Sequence, residues 1–173
     1  MYAVGRFFQA QLRATMQFKP GVIQGLHWHP LNTYHDSRGW LCELFRDDEL
    51  AAIFNPVMAY ISMTQPGVAR GPHEHIDQTD VFCFLGPSNF KIYLWDRRPE
   101  SPTCGIKQTE IVGIDRPMRL IVPPGIVHAY KNVGSEPGLV FNCPNRLYKG
   151  PGRKEPVDEV RHEEDASSAY VLD

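Results

Sequence analysis

Glycine and proline punctuate this chain so densely that no long helix can run through it. The 14 Gly and 15 Pro among 173 residues recur between short apolar runs instead of gathering in one linker. Each proline removes a backbone donor and each glycine loosens the chain, so regular structure is limited to short pieces. The runs cover residues 40–45, 57–63, 81–85, 90–95, 106–112, 119–122 and 139–142. Several are β-branched or aromatic and alternate, as in Lys91-Ile92-Tyr93-Leu94-Trp95, the period of a half-buried strand. Between them lie the turn signals Gln65-Pro66-Gly67, Gly86-Pro87-Ser88-Asn89, Pro123-Pro124-Gly125 and Gly134-Ser135-Glu136-Pro137-Gly138. Short strands repeated at this spacing predict an all-β sandwich or barrel. One short helix is expected over 47–54, opened by two aspartates.

The length suits one domain. The reading divides it into an N-terminal extension (1–20), a barrel (21–150) and a polar, acidic tail (151–173) packed on the barrel or on a partner subunit. With 18 Lys+Arg against 20 Asp+Glu, the net charge of −2 argues against a nucleic-acid partner. No apolar run approaches the roughly 20 residues of a membrane span. The first 20 residues lack a continuous apolar centre, so no signal peptide is expected. Cys42, Cys83, Cys104 and Cys143 form no CxxC pair and read as reduced thiols of a cytoplasmic protein.

Chemistry-bearing residues gather in two stretches. The first is Gly67-Val68-Ala69-Arg70-Gly71-Pro72-His73-Glu74-His75, followed by Asp80 and Gly86; the second runs from Pro123-Pro124-Gly125 through His128 to Asn132. Alternate strand residues share a face, so His73 and His75 project together. A third imidazole from a neighbouring strand and one carboxylate complete a four-ligand pocket with room for a substrate. Gly25-Leu26-His27-Trp28-His29 is a second HxH pair, but without a matching glycine and acidic partner it reads as a strand with exposed imidazoles. His35 and His162 are expected at the surface, and the acidic segment 155–165 as a solvated face.

The two stretches resemble the paired cupin motifs, G-x5-HxH-x3,4-E-x6-G and G-x5-PxG-x2-H-x3-N, with Asp80 in place of the Glu. The implied fold is a cupin jelly-roll β-barrel. Within cupins the chain is similar to the dTDP-4-dehydrorhamnose 3,5-epimerase family over roughly residues 30–148. The resemblance is carried by Asp36-Ser37-Arg38-Gly39 with Glu43 and Phe45, by Pro66 through His73, and by Asp96-Arg97-Arg98-Pro99-Glu100-Ser101-Pro102-Thr103. It implies an isomerase acting on a nucleotide-bound 4-keto-6-deoxy sugar. A base takes the proton next to the ketone, an enolate forms, and an acid returns a proton from the opposite face. Carried over by position, His73 matches the general base, Asp96 and His128 match its active-site partners, and Arg70 lies beside the sugar and its phosphate. Arg38 and Glu43 fall where the family holds the nucleotide. Tyr130 and Tyr148 supply nearby phenols, and His75 is a further substrate-binding candidate. The family pairs its barrels, which implies a homodimer.

Two departures stand out. The family lysine that stabilises the enolate falls at Thr79, and its catalytic tyrosine falls at Phe141. The same comparison gains His75 and Asp80, which supports an alternative: a metal-dependent cupin acting on another small keto or hydroxy compound. In it His73, His75, Asp80 and His128 hold a divalent ion (Zn, Fe, Mn or Ni). The epimerase reading needs no cofactor. The string Arg70-Gly71-Pro72-His73-Glu74-His75 is also shared with nucleotide-sugar 3,4-ketoisomerases, which shuttle a proton between neighbouring carbons.

Overall fold

The computed structural model describes residues 17–50 and 54–173. Among the described residues thirteen strands follow one another: β1 (Lys19–Pro20), β2 (His27–Pro30), β3 (Thr33–Asp36), β4 (Gly39–Cys42), β5 (Tyr60–Thr64), β6 (Ala69–Glu74), β7 (Asp80–Gly86), β8 (Asn89–Asp96), β9 (Ile106–Gly113), β10 (Met118–Val122), β11 (Ile126–Asn132), β12 (Gly138–Asn142) and β13 (Val160–Arg161). Every apolar run picked out above contributes a strand. Residues 47–50 form a turn in which the amides of Glu49 and Leu50 donate to the Arg46 carbonyl. The rest of the expected helix includes residues 51–53, which lie outside the described residues, as do residues 1–16 of the extension.

The strands assemble into two facing sheets, β1-β9-β8-β11-β6-β13 and β2-β10-β7-β12-β5, with β3–β4 as a separate hairpin. This is the expected jelly-roll arrangement, in which the chain from β5 to β13 crosses between the sheets at every step except β8 to β9. Alternation sets the layers. On β8, Phe90, Ile92 and Leu94 enter the central core with Phe82, Phe84, Leu120, Val122 and Ile126. Tyr93 and Trp95 point outward and are covered by Ala129, Tyr170, Phe18 and Leu172. The five-stranded sheet covers its outer side with Leu50, Phe54, Val81, Ile121 and Cys143. Such double-sided burial fits a chain whose strands are rich in aromatic and β-branched residues.

The tail is not a free face. β13 pairs with β6, and Tyr170 seals the outside of Trp95. His162, expected at the surface, is buried against the Glu74 carboxylate at 3.0 Å, and Arg97 meets the same carboxylate. The period of β6 explains this: Glu74 faces away from the cavity that His73 faces, and its buried charge requires partners. His27, His29 and His35 are exposed, as expected. All four cysteines are free thiols. Among the described residues no helix is long and apolar enough to cross a membrane.

Candidate active site

One cavity of about 940 Å³ opens between the sheets. Its wall includes His73 and Arg70 from β6, Tyr130 from β11, Tyr60 and Ser62 from β5, and Phe82 from β7. His75 and Gln78 line it from the loop after β6, and Arg146 to Gly150, Arg153 and 156–159 from the tail. His73 and His128 are direct partners across the β6–β11 ladder, with ring centroids 4.5 Å apart. The ladder shifts register between His128 and Tyr130, whose partners are His73 and Arg70, so that Arg70 and His73, three positions apart on β6, both line the cavity. Gly71 makes the approach possible: its φ is +80°, and a Cβ there would lie 2.6 Å from the His128 carbonyl oxygen.

Below the imidazoles lies Asp80, the first residue of β7 and almost wholly buried. Its Oδ1 accepts from Gln78 Nε2 and Asn142 Nδ2, each at 2.9 Å. Its Oδ2 lies 3.1 Å from His75 Nε2 and 3.2 Å from His128 Nε2. The opposite nitrogens are anchored: His128 Nδ1 donates to the Ile126 carbonyl at 3.0 Å, and His75 Nδ1 to the Asp158 carbonyl. The four proposed ligand residues therefore do converge, with one atom from each lying within 4.8 Å of the others.

Burial and the neighbouring rings of His128 and His75 push the His73 imidazole down to about 2, so it is neutral with a lone pair available. His75 behaves oppositely. Burial opposes its charged form, but the Asp80 carboxylate and the Asp158 carbonyl raise it to about 9. Asp80 is itself held below the ordinary carboxylate range: burial disfavours its charge, and the hydrogen bonds of His128 and His75 outweigh that cost.

The tail completes the site, contrary to the solvated face read from its composition. Glu159 and Glu163 place carboxylate oxygens 3.8 and 4.0 Å from His73 Nδ1. Asp158 accepts from the amides of Ile76, Asp77 and Gln78, fixing the loop that carries His75. These contacts span eighty positions or more, so local spacing gives no sign of them; the acidic run itself was the available signal. Tyr60 was also missed. Its phenol oxygen accepts from Asn142 Nδ2 at 2.9 Å, which leaves its own hydrogen free to be given.

Of the residues carried over by resemblance, Arg70, His75, Tyr130 and Tyr148 all line the cavity. Tyr130 is buried with its hydroxyl 2.8 Å from Ser62 Oγ, and Arg70 binds Thr64 Oγ1 and the Met63 carbonyl. Asp96 is not brought to the cavity. Its carboxylate accepts from Arg98, Ser101 and Thr103, and the side chain is sealed from solvent. Arg38 and Glu43 lie elsewhere too: Arg38 pairs with Asp36 on the exposed β3–β4 hairpin, and Glu43 lies 3.6 Å from Arg46. At the lysine position, Thr79 precedes β7 on the outward register; its amide donates to Asn145 Oδ1. Phe141 also faces outward, packing with Leu31, Cys83 and Leu85, and the inward residues of β12 are Val140 and Asn142.

The family model for dTDP-4-dehydrorhamnose 3,5-epimerase matches residues 20–156. The chain is 40% identical over 128 residues to the probable low-salt glycan biosynthesis epimerase Agl13 of Haloferax volcanii, covering 73% of this chain and 81% of that protein. It is 35% identical over 117 residues to the spore coat polysaccharide biosynthesis protein SpsL of Bacillus subtilis, covering 67% and 76%. Its fold is similar to the crystal structure of a dTDP sugar isomerase from Desulfovibrio desulfuricans, with a TM-score of 0.72, 23% identity and coverage of 86% and 91%. A β-sandwich with a histidine-lined cavity, matched by this family along most of its length, places the chain in the dTDP-4-dehydrorhamnose 3,5-epimerase family of sugar isomerases.

Proposed function

We propose that the protein epimerises a nucleotide-linked 4-keto-6-deoxy sugar, with His73 as the general base and Tyr60 as the acid. The carrying observation is the neutral His73 on the wall of a cavity whose other sheet presents Tyr60. A sugar held between the sheets has the base on one face and the phenol on the other. His73 removes the proton beside the ketone, electrons move into the carbonyl as an enolate, and Tyr60 delivers a proton to the opposite side of the carbon. Burial, with Asp80 nearby, raises the Tyr60 phenol, so it holds its proton until an enolate takes it. Glu159 and Glu163 face His73 Nδ1 and favour the imidazolium that forms when the proton is taken.

Arg70, Lys149 and Arg153 line the same cavity and suit a diphosphate. Epimerases of this family work without a cofactor, which favours this reading over a metal-dependent conversion of an unrelated compound. A homodimer fits the exposed Tyr34, Trp40, Leu41, Ile61 and Met63 on β3–β5, a surface too apolar for water alone. Four free thiols suit a cytoplasmic setting.

The test is hydrogen exchange in heavy water with a dTDP-linked 4-keto-6-deoxyhexose, followed by NMR. Deuterium is expected at C5, at C3 or at both, and His73→Asn is expected to stop it. Wild-type protein that exchanges neither position overturns the assignment, and transfer of the keto group to C3 indicates the ketoisomerase instead.

A further inference from the structure

One buried amide joins the acid assigned above to the carboxylate under the histidines. Asn142, the last residue of β12, is 1% exposed and stands opposite Tyr60, the first residue of β5, in the ladder between the two strands. Directly opposed residues of an antiparallel pair send their side chains to one face, so the amide and the phenol meet. The backbone fixes which way the amide points. Asn142 Oδ1 accepts from the Val81 amide at 3.2 Å, which turns Nδ2 to the other side. That nitrogen carries two hydrogens and serves two oxygens, Tyr60 Oη and Asp80 Oδ1, each at 2.9 Å.

This count of hydrogens sets what Tyr60 offers. An amide nitrogen only donates, so the phenol oxygen accepts and its own hydrogen is left for the cavity that Tyr60 lines. The chemistry adds a second demand. A phenol that has given up its proton becomes an anion, and burial and the Asp80 charge both oppose that anion, whereas the Asn142 hydrogen bond favours it. With one hydrogen directed at each oxygen, the amide stands between two negative charges. A leucine of the same shape supplies no hydrogen, and an aspartate accepts where the amide donates.

We propose that Asn142 is the positioning residue of the acid: held by Val81 and Asp80, it aims the Tyr60 hydroxyl hydrogen into the cavity and donates to the phenolate that remains. This role rests on the epimerase reading above, with Tyr60 as the acid. In the step it serves, the Tyr60 O–H bond breaks and a C–H bond forms on the face of the sugar opposite His73. The enolate electrons make that bond and the carbonyl is restored, so the negative charge passes from the enolate oxygen to the Tyr60 oxygen. Between turnovers water returns a proton to Tyr60 and takes one from His73.

The experiment follows a dTDP-linked 4-keto-6-deoxyhexose in heavy water by NMR, scoring deuterium wash-in and inverted sugar separately. It uses full-length wild type, Asn142→Leu, Tyr60→Phe and the double variant. Asn142→Leu is expected to slow inversion at least about 10-fold, as befits the loss of a hydrogen bond to a charged group, with KM and wash-in within about threefold of wild type. In the Tyr60→Phe background the same substitution is expected to change the residual inversion less than about twofold, a non-additivity that general loosening of the barrel does not produce. If Asn142→Leu does not fold, Asn142→Asp, which keeps an acceptor for the Val81 amide, is expected to show the same split. Inversion slowed by less than 10-fold, equal loss of wash-in and inversion, or a further fall of twofold or more in the Tyr60→Phe background overturns the role of Asn142 alone. Wild-type protein that shows neither wash-in nor inversion overturns the epimerase reading and this role with it.

Discussion

Replacing Asp96 separates a structural role from a catalytic one. The carboxylate accepts from the Arg98 backbone at 3.1 Å, from Arg98 Nε at 2.9 Å and Nη2 at 2.8 Å, and from the Ser101 and Thr103 hydroxyls, each at 2.6 Å. Arg98 also donates to the Gln24 carbonyl, so the knot ties the end of β8 to the segment before β2. Burial disfavours the Asp96 charge, but the Arg98, Ser101 and Thr103 hydrogen bonds outweigh it and bring the carboxyl down to about 2. From its ordinary value of 3.8, at about 1.4 kcal/mol per pH unit, this contributes about 2 kcal/mol of stability. Because the folded value is depressed, that stability is complete above about pH 4 and is lost as the pH falls toward 2.

Asp96→Asn removes the charge-dependent part, about 2 kcal/mol. Asp96→Ala also strands the guanidinium and two hydroxyls, raising the cost to about 3 kcal/mol. For a chain of this size that corresponds to a fall of about 6–12 °C in Tm for the alanine variant. Thermal unfolding by circular dichroism at pH 7 and at pH 3 measures both effects, and the difference between wild type and Asp96→Asn is expected to shrink at pH 3. Hydrogen exchange per folded molecule is expected to stay within threefold of wild type. An Asp96→Asn protein with unchanged Tm and a hundredfold loss of exchange refutes this reasoning and restores Asp96 to the catalytic role implied by resemblance.

Two further substitutions probe the cavity. Tyr60→Phe is expected to slow formation of the inverted sugar by about 10²–10⁴-fold while deuterium wash-in by His73 persists, a split read by NMR of the sugar; equal loss of both contradicts the acid assignment. Gly71→Ala puts a methyl 2.6 Å from the His128 carbonyl at a φ of +80°, so a loss of about 1–3 kcal/mol in denaturant unfolding and a larger loss of exchange are expected.

Most of the barrel was readable in advance. Alternation in Lys91–Trp95 assigns Tyr93 and Trp95 to one face and Ile92 and Leu94 to the other, and the sheet honours this. The two motif stretches likewise announced that His73, His75 and His128 would meet, because strand period and glycine placement are local properties. Locality also sets the limit. Position matching put Phe141 and Thr79 in the site, yet both lie on the outward register, and Asn142 and Asp80 face in instead. A one-residue change of parity exchanges the two faces of a strand, and the register shift between Leu139 and Val140 shows where ladder geometry, not residue count, sets it.

By itself the sequence determined that the chain forms short strands in a sandwich or barrel with a histidine pair on one strand face, and its resemblance to the cupin motifs implied the jelly roll and the third inward imidazole. Breaker spacing, apolar alternation and motif glycines act within a few residues and need no knowledge of what packs against them. The tertiary structure alone decided that Asp96 is sealed in a structural knot and that Arg38 and Glu43 stay outside the cavity. It alone brought tail carboxylates to His73 and set the buried Asp80 carboxylate against His75 and His128. Those outcomes depend on which charges meet across long stretches of chain, where desolvation and pairing weigh against each other only once the sheets have closed.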